Sequence, residues 1–151
     1  MNRKFKRCLI TGITGSGGSY LAEYILNKSK KTKIFGFFRS NGYKKLLQQK
    51  YKNKITFHKV DLKNFDLLKK KINLVKPDVI FHLASNADVR GSFDLPIEHA
   101  KNNNLITVNL LEAIRKSKFN PIIMICSTSE VYGNVLKQHM PITEKQQIAP
   151  I

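Results

Sequence analysis

Three glycines recur at every third position in Thr11-Gly12-Ile13-Thr14-Gly15-Ser16-Gly17-Gly18, between a short apolar run and a segment with helical periodicity. That context suits the binding of a pyrophosphate. Gly12 permits a tight strand-to-helix turn, Gly15 lets a phosphate approach the backbone without meeting a Cβ, and Gly18 lets the helix pack closely on the sheet. The free N–H groups of the first helical turn then face the phosphates. A bare structural turn is the alternative reading. A Walker-type phosphate loop is excluded, because no Gly-Lys-Ser/Thr closes the stretch.

Two further positions bear on what such a loop would hold. In a sheet of this kind the residue ending the second strand lies beside the adenosine ribose, where an acid accepts from a free 2′-hydroxyl and a cation favours a 2′-phosphate. Arg39 stands there, with no Asp or Glu between Lys30 and Tyr51. The chain has few other arginines, at Arg3, Arg7, Arg90 and Arg115, so NADP is preferred over NAD, with Ser40 and Lys44 as helpers. A solvated loop arginine is the plainer alternative. Asp61, followed by Leu62, ends the third strand, where it can accept from the adenine amino group or cap the next helix. Thr128-Ser129-Glu130 follows the fifth strand and offers a hydroxyl and a carboxylate at a strand's carboxyl edge, where open parallel sheets bind ligands.

The elements that must position these residues are legible as apolar runs alternating with helical segments, the pattern of a parallel sheet covered by helices on both faces. Five strands are predicted at Arg7 to Thr11, Lys33 to Phe38, Ile55 to Val60, Val79 to Leu83 and Ile122 to Ser127. All are continuously apolar or β-branched, as strands buried on both faces should be. Helices are predicted over Ser19 to Asn27 (Leu21, Ala22, Ile25 and Leu26 inward), Phe65 to Val75 (Phe65, Leu68, Ile72 and Val75 on one face) and Pro96 to Ser117 (Leu111 and Ile114 in the core). Pro77 ends the second of these, Asn120 and Pro121 close the third, and Asn41 to Lys54 reads as a loop with a short helix.

Composition sets the bounds. The 151 residues, 42% of them hydrophobic, suffice for one domain with one core, and no internal repeat or linker divides them. No run of eighteen apolar residues occurs, and the basic segment Met1 to Lys6 leads straight into a strand, so neither a membrane span nor a signal peptide fits; the chain is read as soluble and cytoplasmic. Cys8 and Cys126 sit in apolar runs and read as small buried thiols. The net charge of +17 invites a nucleic-acid partner, but the lysines are scattered over helix ends and loops without the interleaved aromatics that stack bases. Nucleic-acid binding is therefore not expected. His58, His82, His99 and His139 form no pair at metal-ligand spacing, and no metal site is expected.

Taken together, Thr-Gly-x-x-Gly-x-x-Gly after strand one, Asp61-Leu62, His82-Leu83-Ala84 after strand four and Ser127-Thr128-Ser129-Glu130-Val131-Tyr132-Gly133 after strand five resemble the extended short-chain dehydrogenase/reductases. The resemblance covers essentially the whole chain and implies an α/β, Rossmann-type doubly wound parallel sheet of which strands one to five are present. Within that family, Gly12 to Glu23 and Val89-Arg90-Gly91-Ser92-Phe93-Asp94-Leu95-Pro96 are most similar to GDP-mannose 4,6-dehydratases. Ser16-Gly17 replaces the usual Gln-Asp, and Ile106 replaces a usual glycine in the motif ending Leu110-Leu111-Glu112-Ala113.

The resemblance implies a cofactor-lining loop at Leu83, Ala84, Ser85, Asn86 and Ala87, and Asn103 as the helix asparagine that precedes the motif ending in Leu110-Leu111-Glu112-Ala113. It also implies a nucleotide-sugar substrate and a homodimeric or homotetrameric parent. For a dehydratase, Glu130 suits the base near the sugar C5 and Thr128 a hydrogen bond to the C4 oxygen, with Ser129 between them; an ordinary loop glutamate is the plainer alternative for Glu130. UDP-glucuronate decarboxylases resemble the Thr-Ser-Glu-Val-Tyr-Gly stretch too, many epimerases lack the glutamate, and a non-catalytic dinucleotide-binding protein is a third alternative. The Tyr-x-x-x-Lys pair of the family is expected on a helix after strand five, so the chain to Ile151 reads as the N-terminal part of such an enzyme, without the substrate domain and inactive alone. Tyr24 and Lys28 show that spacing by coincidence, on the first helix.

Overall fold

A computed structural model describes residues 5–150. The basic N-terminal run thus lies partly, at residues 1–4, outside the described residues, as does Ile151. Five parallel strands, β1 (Arg7–Thr11), β2 (Lys33–Phe38), β3 (Ile55–Lys59), β4 (Val79–His82) and β5 (Ile122–Ile125), lie in the order β3-β2-β1-β4-β5. The order reverses beside β1, so the carboxyl ends of β1 and β4 border a crevice in which open α/β sheets bind ligands. The helices are α1 (Ser16–Lys28), α2 (Lys44–Lys50), α3 (Phe65–Val75), α4 (Val89–Asp94) and α5 (Pro96–Arg115).

Alternation along the strands divides the core in two. Leu9, Phe37 and Ile80 face α3 and α5, meeting Leu68, Ile72, Ile106 and Leu110. Cys8, Ile10, Ile34 and Val79 face the other way, towards Ala22 of α1 and Leu47 of α2. Two covered faces explain why β1 and β2 carry no polar alternation. The sheet's lower end is pinned by Asp78, whose Oδ2 accepts from the backbone N–H groups of Lys6 and Arg7 at 2.8 and 2.9 Å. At the end of α3, Lys76 adopts a left-handed φ of 44° and its N–H donates to the Ile72 carbonyl, and the following Pro77 cannot continue the helix.

Several expectations are corrected. α1 starts at Ser16 rather than Ser19, so the glycine-rich stretch forms its first turn. β5 is shorter than predicted and is the edge of the described sheet: Ile122, Met124 and Ile125 are exposed, and only Ile123 packs on the core. Cys126, just beyond it, is exposed for the same reason, whereas Cys8 is buried and its thiol is pushed up to about 12 by desolvation. Leu111 is exposed, because the inward stripe of α5 is Ile106, Leu110, Ala113 and Ile114, and Leu111 falls off it. Helix α4 and two short 3₁₀ turns, Ser129–Tyr132 and Lys137–His139, carry too little periodicity to be predicted. No helix among the described residues is long and apolar enough to cross a membrane.

Candidate functional site

Beyond Thr11 the chain turns at Gly12, whose φ of +70° suits only glycine without strain. Its N–H donates to the Phe37 carbonyl at 2.9 Å, tying the turn to the end of β2. A Cβ on Gly18 would lie 2.7 Å from Ile13 Cα, so the start of α1 sits directly on the turn. Ile13 itself points into the core and is fully buried. The first turn-spanning bond of α1 runs from Ser19 N–H to Gly15 O, which leaves the N–H groups of Ser16, Gly17 and Gly18 without a carbonyl one turn back. No side chain caps this end and no acid occupies its first turn. An anion is the fitting partner for such a terminus.

A cleft of about 190 Å³ opens above it, lined among others by Gly12, Thr14, Gly15, Arg39, Ser40, Asp61, Leu62, Leu83, Ala84 and Ser85. Residues predicted from four separate strand ends thus share one cavity. Arg39 and Asp61 are both exposed on its rim. Asp61 closes a local turn by accepting from Lys63 N–H at 3.0 Å, while the cap of α3 is Asn64, whose Oδ1 accepts from Leu67 N–H. The capping alternative for Asp61 is therefore corrected, and its second oxygen has no partner among the described residues. Lys44 places its ammonium 4.5 Å from the Phe38 ring centroid instead of lining the cleft. Ile106, in place of a glycine, is buried and adds an apolar side chain to the cleft floor.

The strand-four loop is held by a buried polar chain. Thr107 has one hydroxyl proton and gives it to the Asn103 carbonyl at 2.9 Å, so its contact of 3.2 Å with His82 Nε2 requires that nitrogen to be the donor. His82 Nδ1 then accepts, at 2.8 Å, from the Thr11 hydroxyl, whose oxygen accepts in turn from Ala84 N–H at 3.2 Å. This assignment makes His82 neutral, in agreement with burial holding its pKa below the ordinary value. Asn103 closes the chain on the loop: its Oδ1 accepts from Asn86 N–H at 2.8 Å and its Nδ2 donates to Asn86 O at 3.1 Å. The Asn86 side chain meets His99 Nε2 at 3.1 Å.

A second cavity of about 480 Å³ lies between this loop and the end of β5, bordered by Leu83 to Val89, Asn103, Ser127 and Thr128. Thr128 reaches it, whereas Ser129 and Glu130 sit in the exposed 3₁₀ turn beside it. Thr128 Oγ1 accepts from Glu130 N–H at 3.3 Å and caps that turn. Ser129 Oγ lies 3.5 Å from Glu130 Oε1. Among the described residues no three His, Cys, Asp or Glu side chains converge as a metal site.

Comparison with known proteins addresses the same constellation. The sequence model of GDP-mannose 4,6 dehydratase matches residues 9–151. The chain belongs to that family. GDP-mannose 4,6 dehydratase 2 of Caenorhabditis elegans is 36% identical over 160 residues, covering 98% of this chain and 41% of the relative. Among solved structures, the UDP-Glc/GlcNAc 4-epimerase of Campylobacter jejuni aligns with a TM-score of 0.80 at 27% identity, over 95% of this chain and 43% of that one. The dTDP-glucose 4,6-dehydratase of Bacillus anthracis, solved with NAD, aligns at 0.75 and 27%, over 95% and 44%. The chain spans about two-fifths of the length of the curated relatives it matches.

Within this member of the GDP-mannose 4,6 dehydratase family, Tyr24 and Lys28 lie on α1 beside Lys6, Arg7 and Lys33, at the opposite end of the strands from Gly12 and Thr128. Lys28 Nζ sits 5.9 Å from the Tyr24 ring centroid, an ordinary surface contact. Three polar anchors of the site, Thr11, His82 and Thr107, are not among the residues expected from the sequence. Their signal was available: a histidine inside an apolar strand must find partners when buried.

Proposed function

We propose that this chain forms the dinucleotide-binding part of an NADP-dependent GDP-mannose 4,6-dehydratase, a lyase converting GDP-mannose to GDP-4-keto-6-deoxymannose. The observation that carries the reading is the shared cleft. An uncapped, acid-free helix terminus, a strand-two arginine and Asp61 surround one cavity. The terminus suits the pyrophosphate, Arg39 a 2′-phosphate, and Asp61 the adenine amino group through its free oxygen. Backbone and side chains of Leu83 to Ala87 line the way from there to the second cavity.

NADP, when bound, supplies acceptance of the sugar C4 hydride and its return at C6. Thr128, which borders the second cavity, hydrogen-bonds the C4 oxygen. Glu130 takes the C5 proton once the C4 carbonyl has made it acidic and passes it to the C6 hydroxyl, which leaves as water. Ser129 Oγ lies beside the carboxylate, 3.5 Å from Glu130 Oε1. The same reading carries a cytoplasmic location and a homodimeric or homotetrameric full-length enzyme.

The test is incubation of the full-length enzyme with GDP-mannose and NADP. Release of the 4-keto-6-deoxy sugar is expected; no such product from an NADP-loaded enzyme removes the substrate assignment. A second reading, a nucleotide-sugar 4-epimerase, is favoured by the similarity to the Campylobacter jejuni enzyme. A C4 epimer in the same assay would select it, and carbon dioxide from UDP-glucuronate would select a decarboxylase.

A further inference from the structure

Thr14 carries a pair of contacts that the binding of a pyrophosphate does not require. Its hydroxyl donates to the Ser40 carbonyl at 2.8 Å, and its own carbonyl accepts from Tyr43 N–H at 2.9 Å. Thr14 is 6% exposed, so its end of each bond is shielded from water, while Ser40 and Tyr43 are exposed. They grip the loop after β2 on either side of Gly42, which adopts a φ of +34° and on which a Cβ would overlap the Thr14 carbonyl oxygen. On the other side of Arg39, the Phe37 carbonyl accepts from Gly12 N–H at 2.9 Å and Ile13 N–H at 3.4 Å. The backbone carrying Arg39 is therefore bracketed, at Phe37 and at Ser40, by two anchors on one glycine turn. No carboxylate pairs with Arg39 among the described residues, and besides this bracket the strand end is held by Val60 N–H, which donates to the Phe38 carbonyl at 2.9 Å.

We infer that Thr14, clasped around Gly42, is a positioning residue that sets the cofactor's 2′-phosphate selectivity by holding the Arg39 loop at a fixed distance from the pyrophosphate-binding turn. This rests on the NADP reading above. The physical argument is preorganisation: an arginine on a tethered loop loses less freedom on meeting a phosphate than one on a free loop. The tether leads from the phosphate-binding turn itself, so the pyrophosphate and 2′-phosphate positions are set relative to each other.

The experiment titrates the full-length protein with NADPH and NADH, following nicotinamide fluorescence, for the wild type, Thr14→Val, Thr14→Ser, Gly42→Ala and Arg39→Ala, with a melting curve for each. The ratio of NADPH to NADH affinity is expected to fall about tenfold in Thr14→Val and in Gly42→Ala, the size set by one buried hydrogen bond. Thr14→Ser, which keeps the hydroxyl, restores it. In an Arg39→Ala background, Thr14→Val is expected to leave the ratio where Arg39→Ala put it, since the two act as a unit. A wild type that binds neither dinucleotide, or both equally, overturns the NADP reading and the inference with it. A wild type that prefers NADPH, beside a Thr14→Val variant with the same ratio, overturns the inference alone. Equal losses for both cofactors with a lowered melting temperature overturn it too, showing Thr14 to be only structural.

Discussion

At the end of β1 the candidate site is built from bonds between elements, and at the end of β5 it is built from bonds within a few residues. The glycine turn is tied to β2 through Phe37, to the following loop through Ser40 and Tyr43, and to β4 through Thr11, His82 and Ala84. Thr128, Ser129 and Glu130 bond among themselves and to Val131 and Gly133. Thr11, Thr14 and His82 are buried; Thr128, Ser129 and Glu130 are exposed. The difference teaches how a binding site and a reacting site can share one sheet. On the proposed reading, the part that would hold the dinucleotide is preorganised by the core, while the part that would meet the sugar is held by local bonds alone.

The largest effect that would sharpen this contrast is on turnover. Glu130→Gln in the full-length enzyme is expected to lower kcat by about 10³-fold, the range of a lost general base, while the melting temperature stays within about 1 °C of wild type because its bonds are local. A kcat within tenfold of wild type would remove Glu130 as the base. A large drop in melting temperature would instead break the comparison. Next comes Gly18→Ala, whose Cβ would press on the backbone of Ile13. A loss of about 3 kcal/mol is expected by chemical denaturation, since backbone cannot step aside as a side chain can. A loss below about 0.5 kcal/mol would show that the turn is not the rigid element described above.

The smallest effect concerns His82. Burial holds its folded-state pKa below the ordinary 6.5, so as pH falls through that value the unfolded chain binds a proton that the folded chain refuses. Stability is therefore complete above about pH 6.5 and declines below it towards the folded pKa. His58, lowered by burial and by Lys71, has the same sign. A His82→Gln variant, which can still donate and accept, is expected to flatten the part of the decline due to His82 in denaturant melts across that range. An unchanged slope would place the titration elsewhere.

Much of this is legible in the amino-acid sequence. The boundaries of β1, β2 and α3 follow from apolar runs punctuated by Gly12, Arg39 and Pro77, because a strand covered on both faces leaves no room for polar alternation. The glycine spacing identified the turn, since only glycine tolerates φ of +70° or a backbone packed where a Cβ would be. Arg39 was visible as a cation where an acid would serve the other cofactor.

What only the tertiary structure decided lies between elements. Local pattern cannot say which strand is an edge, so Cys126 and Ile125 read as buried and are exposed. It cannot tell which Asp or Asn caps a helix, and Asn64 rather than Asp61 does so. Nor can it pair Thr11 with His82 across 71 residues, or Thr14 with Ser40 across 26, because such bonds depend on where strands are brought side by side. Residue types and spacing determined what could bind at the crevice; the order of the strands decided which side chains hold it open and aimed.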